Sequence, residues 1–103
     1  MSVAPILAAL GDESRLQIVR KLCKGGPLSI TKLTKGADIS RQAVTKHLHA
    51  LSEAGLVRSE RHGRERIWKL EPKRLADVRR YLAQISAQWD EAINRLRSAV
   101  EDD

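Results

Sequence analysis

Apolar residues recur along this chain first at helical spacing, then in alternation, then at helical spacing again, and the switches mark its elements. Ile6, Leu7 and Leu10 form an apolar edge on a short first helix over 3–10, which Gly11 breaks. Asp12 and Ser14 offer N-cap oxygens to a second helix. Leu16, Ile18, Val19, Leu22 and Cys23 make up its apolar face, with Arg15, Arg20 and Lys21 outside, and Lys24-Gly25-Gly26-Pro27 stops it. A third, shorter helix begins near Ser29, turns Ile30, Leu33 and Thr34 inward, and ends at Gly36. After a tight connector over 36–39, Ser40 caps a fourth helix that runs to about Ala54. Its Val44, Leu48 and Leu51 repeat at steps of four and three, and Gly55 suits its C′ position. Two helices joined by a short glycine-containing turn form a helix-turn-helix unit.

The period then changes to alternation. Residues 57–61 and 66–70 read as two short strands around His62-Gly63-Arg64, where Gly63 supplies the backbone freedom of a hairpin tip. Pro72 opens a last helix. Along it Leu75, Val78, Leu82, Ile85, Trp89, Ala92, Leu96 and Ala99 follow in alternating steps of three and four. That is a heptad seam over 73–100, about 40 Å of helix at 1.5 Å per residue. The predicted fold is mainly α with a small β-hairpin, in the order α-α-α-α-β-β-α: a winged helix-turn-helix occupying the whole of 1–103 as one domain. A chain of 103 residues has room for one core. It has little surface on which to lay so long a seam, so the seam predicts a homodimer built on Ile6, Leu10, Leu75, Val78, Leu82, Ile85, Trp89 and Leu96.

Composition narrows the partner. No apolar run approaches the roughly 18–20 residues that span a bilayer, and Met1-Ser2-Val3-Ala4-Pro5 lacks the basic start of a secretion signal. The single cysteine, Cys23, permits no intramolecular disulfide. A cytoplasmic location is therefore expected, with Cys23 read as a core residue ahead of the alternative, a redox switch. The formal charge is +6, and Arg58, Arg61, Arg64, Arg66 and Lys69 are concentrated at the hairpin, while the chain ends Glu101-Asp102-Asp103. Such a patch reads as the footprint of a polyanion, against the plainer reading of a solvated charged face. With no Phe and only Tyr81, Trp68 and Trp89 as aromatics, there is little on which to stack unpaired bases, which favours duplex DNA.

On a wheel of the fourth helix, Val44, Leu48 and Leu51 define the buried face, with Ala43 and His47 on its flank. Gln42, Lys46 and His49 point directly away, with Arg41 and Thr45 between, and no acid occurs over 40–52. An acid there would repel phosphate; Gln pairs well with adenine, Arg or Lys with guanine, and a Thr methyl with thymine. At the hairpin, His62 and Arg64 are the favoured contacts and Arg61 lies beside them, while Arg58 and Arg66 remain open because Glu60 and Glu65 can pair with them. His47 is read as a packed helix histidine or a contact at the groove edge, and Trp89 as seam packing. No nucleophile triad, phosphate-cradling glycine loop or carboxylate pair stands out, so an enzyme is not expected. A non-specific architectural DNA-binder and a protein-docking module are the alternative readings.

Leu10-Gly11-Asp12-Glu13-Ser14-Arg15-Leu16, then 40–51, then Ala54-Gly55-Leu56-Val57 and Arg61-His62-Gly63-Arg64 together resemble the ArsR-type winged-helix repressors of bacteria. The resemblance implies a homodimer paired through the first and last helices, bound to a palindromic double-stranded operator. It carries DNA contacts onto Arg41, Gln42, Thr45, Lys46, His49, His62 and Arg64, and Ser40 and Arg61 beside them complete the expected DNA-binding set. Metal-sensing members place paired cysteines around the helix before the turn, or Asp, His and Glu on the last helix. Here 27–33 holds no cysteine and the last helix no histidine, so no metal and no cofactor are expected. A small-molecule inducer is left open.

Overall fold

The computed structural model describes residues 2–101; Met1 and the acidic end Asp102-Asp103 lie outside them. Eight elements follow one another: α1 (Ala4–Leu10), α2 (Glu13–Gly25), β1 (Leu28–Ser29), α3 (Ile30–Thr34), α4 (Arg41–Glu53), β2 (Val57–His62), β3 (Glu65–Leu70) and α5 (Pro72–Glu101). The order therefore differs from the expected one by an added strand. β1 pairs antiparallel with β3, through Leu28 with Trp68 and Ser29 with Ile67, so the hairpin becomes a three-stranded sheet in the order β1-β3-β2. A two-residue strand has no room for an alternating pattern, which is why it left no periodic trace. Ser29 ends that strand and also caps α3, its Oγ accepting from the Lys32 amide at 3.3 Å.

Side-chain caps set the helix starts. Asp12 Oδ1 accepts from the Arg15 amide at 3.1 Å to open α2, and Ser40 Oγ accepts from the Ala43 amide at 3.1 Å to open α4. The core is built from all the elements between α1 and the first turns of α5. Ile6, Leu33, Val44, Leu48, Leu51 and Leu56 have no exposed surface, and Trp68 retains 4%. Arg15 ties three elements together: its Nη1 donates to the Ala9 carbonyl at the end of α1, and its Nε to His47 Nδ1 on α4 at 3.2 Å.

Two apolar assignments need correction. Cys23 is exposed rather than buried, and Leu16, two turns earlier on the same side of α2, is 36% exposed. Both stand more than about 100° around α2 from the line of Ile18 and Leu22 that faces the core. Ile6 and Val78, assigned to a dimer seam, are buried inside the protomer at 0% and 8% exposure. The reason for Ile6 is that α1 packs across α2 and α4. Beyond Val78, α5 leaves the body: almost every residue to Glu101 is exposed, and the molecule extends to 67 Å in its longest dimension. Among the described residues no helix is long and apolar enough to cross a membrane.

Gly55, at φ +82°, carries the chain from α4 into β2, and a Cβ there would meet Arg74 Nε at 2.9 Å. Gly55→Ala should cost about 1–2 kcal/mol in urea denaturation, since an L-residue in the left-handed region is strained on its own account. An unchanged midpoint would mean that the turn relaxes without loss. A second expectation concerns acid. The Arg15 amide above all holds the Asp12 carboxyl below its ordinary 3.8. A carboxyl depressed by folding contributes stability that is present in full above the unfolded value and is lost as pH falls through the folded one. Asp12→Asn, which keeps a capping oxygen but does not titrate, should lower Tm at neutral pH and flatten the Tm profile below about pH 4. Parallel acid limbs for the two proteins would assign the acid sensitivity elsewhere.

Candidate nucleic-acid interface

Three buried residues fix the presentation of α4. Val44, Leu48 and Leu51, all with no exposed surface, turn one side of the helix into the core, where it packs on α1, α2 and α3. The opposite side is thereby committed to solvent: Arg41, Gln42, Lys46 and His49 are exposed, and Thr45 is half-buried. Arg41, Gln42 and Lys46 keep their side-chain polar groups free of hydrogen bonds and ion pairs among the described residues, so their donors remain available to a ligand. Thr45 donates its hydroxyl to the Arg41 carbonyl at 3.0 Å and so presents chiefly its methyl group, a group of the kind that can pack on a thymine methyl. Ser40 uses its oxygen as the cap, which leaves the hydroxyl hydrogen to donate outward. His47, half-buried, is taken by Arg15 and belongs to the packing of α4 rather than to its outer face.

The hairpin is pinned by its register. Val57 pairs with Leu70, Ser59 with Trp68, Arg61 with Arg66 and His62 with Glu65, leaving the two-residue turn Gly63-Arg64 with Gly63 at φ +64°. Side chains alternate across a sheet. Val57 and Trp68, both buried, identify one face as the one turned to the core and α4. Ser59, Arg61 and Arg66 continue that face outward, while Arg58, Glu60, His62, Ile67 and Lys69 occupy the other.

The predicted hairpin contacts are thus divided. Arg61 lies on the α4 side, with its Nε folded onto the Gly63 carbonyl at 3.3 Å. Arg64 stands at the exposed tip. His62 is on the far face, where its Nε2 lies 3.5 Å from Glu60, which also accepts from Lys69. The Lys69 ammonium, with a smaller contribution from His62, holds the Glu60 carboxyl below its usual range. Arg58 pairs with Glu71 at 3.4 Å at the base of the hairpin. Arg66, left open by the sequence, proves to share the face of α4 and bonds Ser59 Oγ through Nη1 at 2.8 Å. Ser52 and Ser59 went unremarked in the sequence. Counting parity outward from Trp68 and Val57 would have placed Ser59, Arg61 and Arg66 on the side of α4.

No three His, Cys, Asp or Glu side chains come together among the described residues. What the arrangement offers is a helix face of uncompensated donors beside a cationic two-stranded arm, a shape and charge matched to a duplex groove and its phosphates.

Comparison with known proteins agrees. A family model described as a helix-turn-helix domain matches residues 10–60. The HTH-type transcriptional regulator Rv2034 of Mycobacterium tuberculosis is 33% identical over 93 residues, spanning 90% of this chain and 83% of that protein. An ArsR-like transcriptional regulator from Rhodococcus sp. RHA1 superposes with a TM-score of 0.74 at 35% identity, covering 93% of this chain and 90% of that one. The homodimeric winged helix-turn-helix DNA-binding domain Mb0332 of Mycobacterium bovis, a possible ArsR-family regulator, does so at 0.64 and 26% identity, covering 88% and 81%. With its helix-turn-helix, its sheet and its basic outer face accounted for, the chain belongs to the ArsR-type winged helix-turn-helix transcriptional regulators, which bind DNA.

Proposed function

We propose that this regulator is a repressor that acts as a homodimer on a palindromic operator, in the cytoplasm and without a resident metal. The observation that carries the DNA half of this reading is the outer face of α4. Gln42 with Arg41 or Lys46 reads base edges, Thr45 offers its methyl, and Ser40, His49, Arg61 and Arg64 hold phosphates or the adjoining groove. His62, on the far face of the hairpin, reaches DNA only if the wing tip enters the minor groove. Occupancy of an operator overlapping a promoter excludes polymerase, and exclusion needs no surface beyond these.

The dimer half rests on α5. Leu82, Ile85, Trp89, Ile93, Leu96 and Val100 stand between 37% and 74% exposed in one stripe along the projecting helix. So much unpartnered apolar surface on one element marks an interface. Half-buried Leu10 and Leu75 extend it toward α1, whereas Ile6 and Val78 support it from beneath. A two-fold pair joined here would set two α4 helices one duplex turn apart, about 34–36 Å. The donor set supports a metal-free reading: α5 carries no histidine, and Cys23 is the sole thiol.

Anisotropy with promoter DNA from upstream of the chain's own gene, against a scrambled duplex at two salt concentrations, tests the reading. A preference for the promoter that persists as salt rises is expected, with both affinities falling steeply. Equal binding to both duplexes would favour an architectural protein, and no binding at either salt a protein-docking module. Gln42→Ala should narrow the gap between the two duplexes by the equivalent of about 1–3 kcal/mol while sparing most affinity for the scrambled one. Leu82→Asp should sediment as a monomer in ultracentrifugation, and a persistent dimer would place the interface elsewhere.

A further inference from the structure

Between α4 and the hairpin runs a groove of about 400 Å³ that none of the predicted base-reading residues line, His49 excepted. Its walls are His49 and Ser52 from α4, Ser59 from β2 and Arg66 from β3, and Trp68 lines it from beneath at 4% exposure. Among the described residues no carboxylate lines it. The His49 ring packs against the Trp68 ring with centroids 6.1 Å apart, which restricts where the imidazole can point. Arg66 donates one of its five N–H groups to Ser59 Oγ, so the guanidinium is tethered with its remaining donors unspent. Ser59, having accepted that bond, is left with its own hydrogen to donate. Ser52 adds an exposed hydroxyl to half-buried Ser59, and the indole Nε1 of Trp68 has no acceptor among the described residues.

Such a groove is rich in donors and cationic, and it is placed where the two DNA-reading elements diverge. We infer that it seats one phosphodiester of the duplex: the phosphate on the strand that separates the major groove entered by α4 from the minor groove beside the hairpin. The inference rests on the DNA-binding reading above and deepens it. A phosphodiester offers acceptors only, which suits donors from two helix residues and two strand residues converging on one place. Because α4 and the hairpin hold the same phosphate, the contact fixes how the pair of elements is seated on the duplex and so the depth at which Gln42 and Lys46 meet the bases. Arg66 and Ser59 are positioning residues in this scheme and carry no sequence information themselves. The same donors suit free inorganic phosphate, so the test separates the two sources.

Arg66→Gln, Arg66→Lys and Ser59→Ala are compared with wild type on the promoter and scrambled duplexes from 50 to 200 mM salt. Methylphosphonate, which is uncharged, is placed at each backbone position of the promoter duplex in turn. For Arg66→Gln we expect a similar weakening on both duplexes, on the order of 3–10-fold, and a log–log salt slope smaller by about 1, with Arg66→Lys restoring most of the slope. One methylphosphonate position should weaken wild type but leave Arg66→Gln unaffected, and Ser59→Ala should blunt the same position. If wild type prefers its promoter but Arg66→Gln keeps the full slope and responds to every position as wild type does, the groove is not the seat and the DNA reading stands. Wild type binding neither duplex overturns both. Competition by inorganic phosphate beyond that of chloride at equal ionic strength, abolished by Arg66→Gln, would assign the groove to the free anion instead.

Discussion

Trp68 is where the architecture of this protein is held together. Its backbone sits between Leu28 and Ser59 in the middle strand of the sheet, so both ladders pass through it. Its side chain is buried to all but 4% in the core shared with Val44, Leu48 and Leu51. The ring also lies under His49 on the outer side of α4. An indole buries more apolar area than any other side chain available to this chain. It is spent at the one place where the sheet, the core and the recognition helix meet. The relative placement of α4 and the hairpin, on which every DNA contact depends, follows from that single packing arrangement.

How much of this was legible in the residues can be judged element by element. The helices announced themselves because three-and-four spacing is long-lived: Val44, Leu48 and Leu51 defined α4, and its caps at Ser40 and Gly55 bracketed it to within a residue or two. The hairpin was legible through alternation and Gly63. β1 was not, since two residues have no period and their pairing with β3 spans some forty positions. Nor did periodicity say which flank of α2 is covered. Leu16 and Cys23 read as part of an apolar face, yet the half-buried position near them went to Arg15, whose guanidinium finds the Ala9 carbonyl and His47. Ile6 and Val78 show the converse. An apolar residue on a helix expected to pair with another protomer can equally be buried within its own, and only the packing decides.

Within the site, the α4 face was read correctly as a face, because one side of a helix follows from the other. The hairpin was harder. Charges at a strand are sorted by parity, and parity has to be counted from a known buried residue. Trp68 and Val57 provide that origin. From them Arg61 and Arg66 fall beside α4, while His62 falls on the far side with Glu60 and Lys69. Acidic residues in a basic hairpin are not simply diluents. Glu60 draws Lys69 and His62 together on the far face and leaves the near face with arginines alone.

The two tryptophans stand in opposite environments: Trp68 at 4% exposure beneath the α4–hairpin groove, Trp89 at 65% on the projecting half of α5. Indole emission moves to shorter wavelength as water is withdrawn. The protein thus carries two intrinsic optical reporters in distinct surroundings. A blue shift belonging to Trp89 registers the covering of α5, while a change in Trp68 registers events at the groove. With one indole replaced by phenylalanine at a time, any covering of α5 and any docking at the groove become separately visible in unlabelled protein.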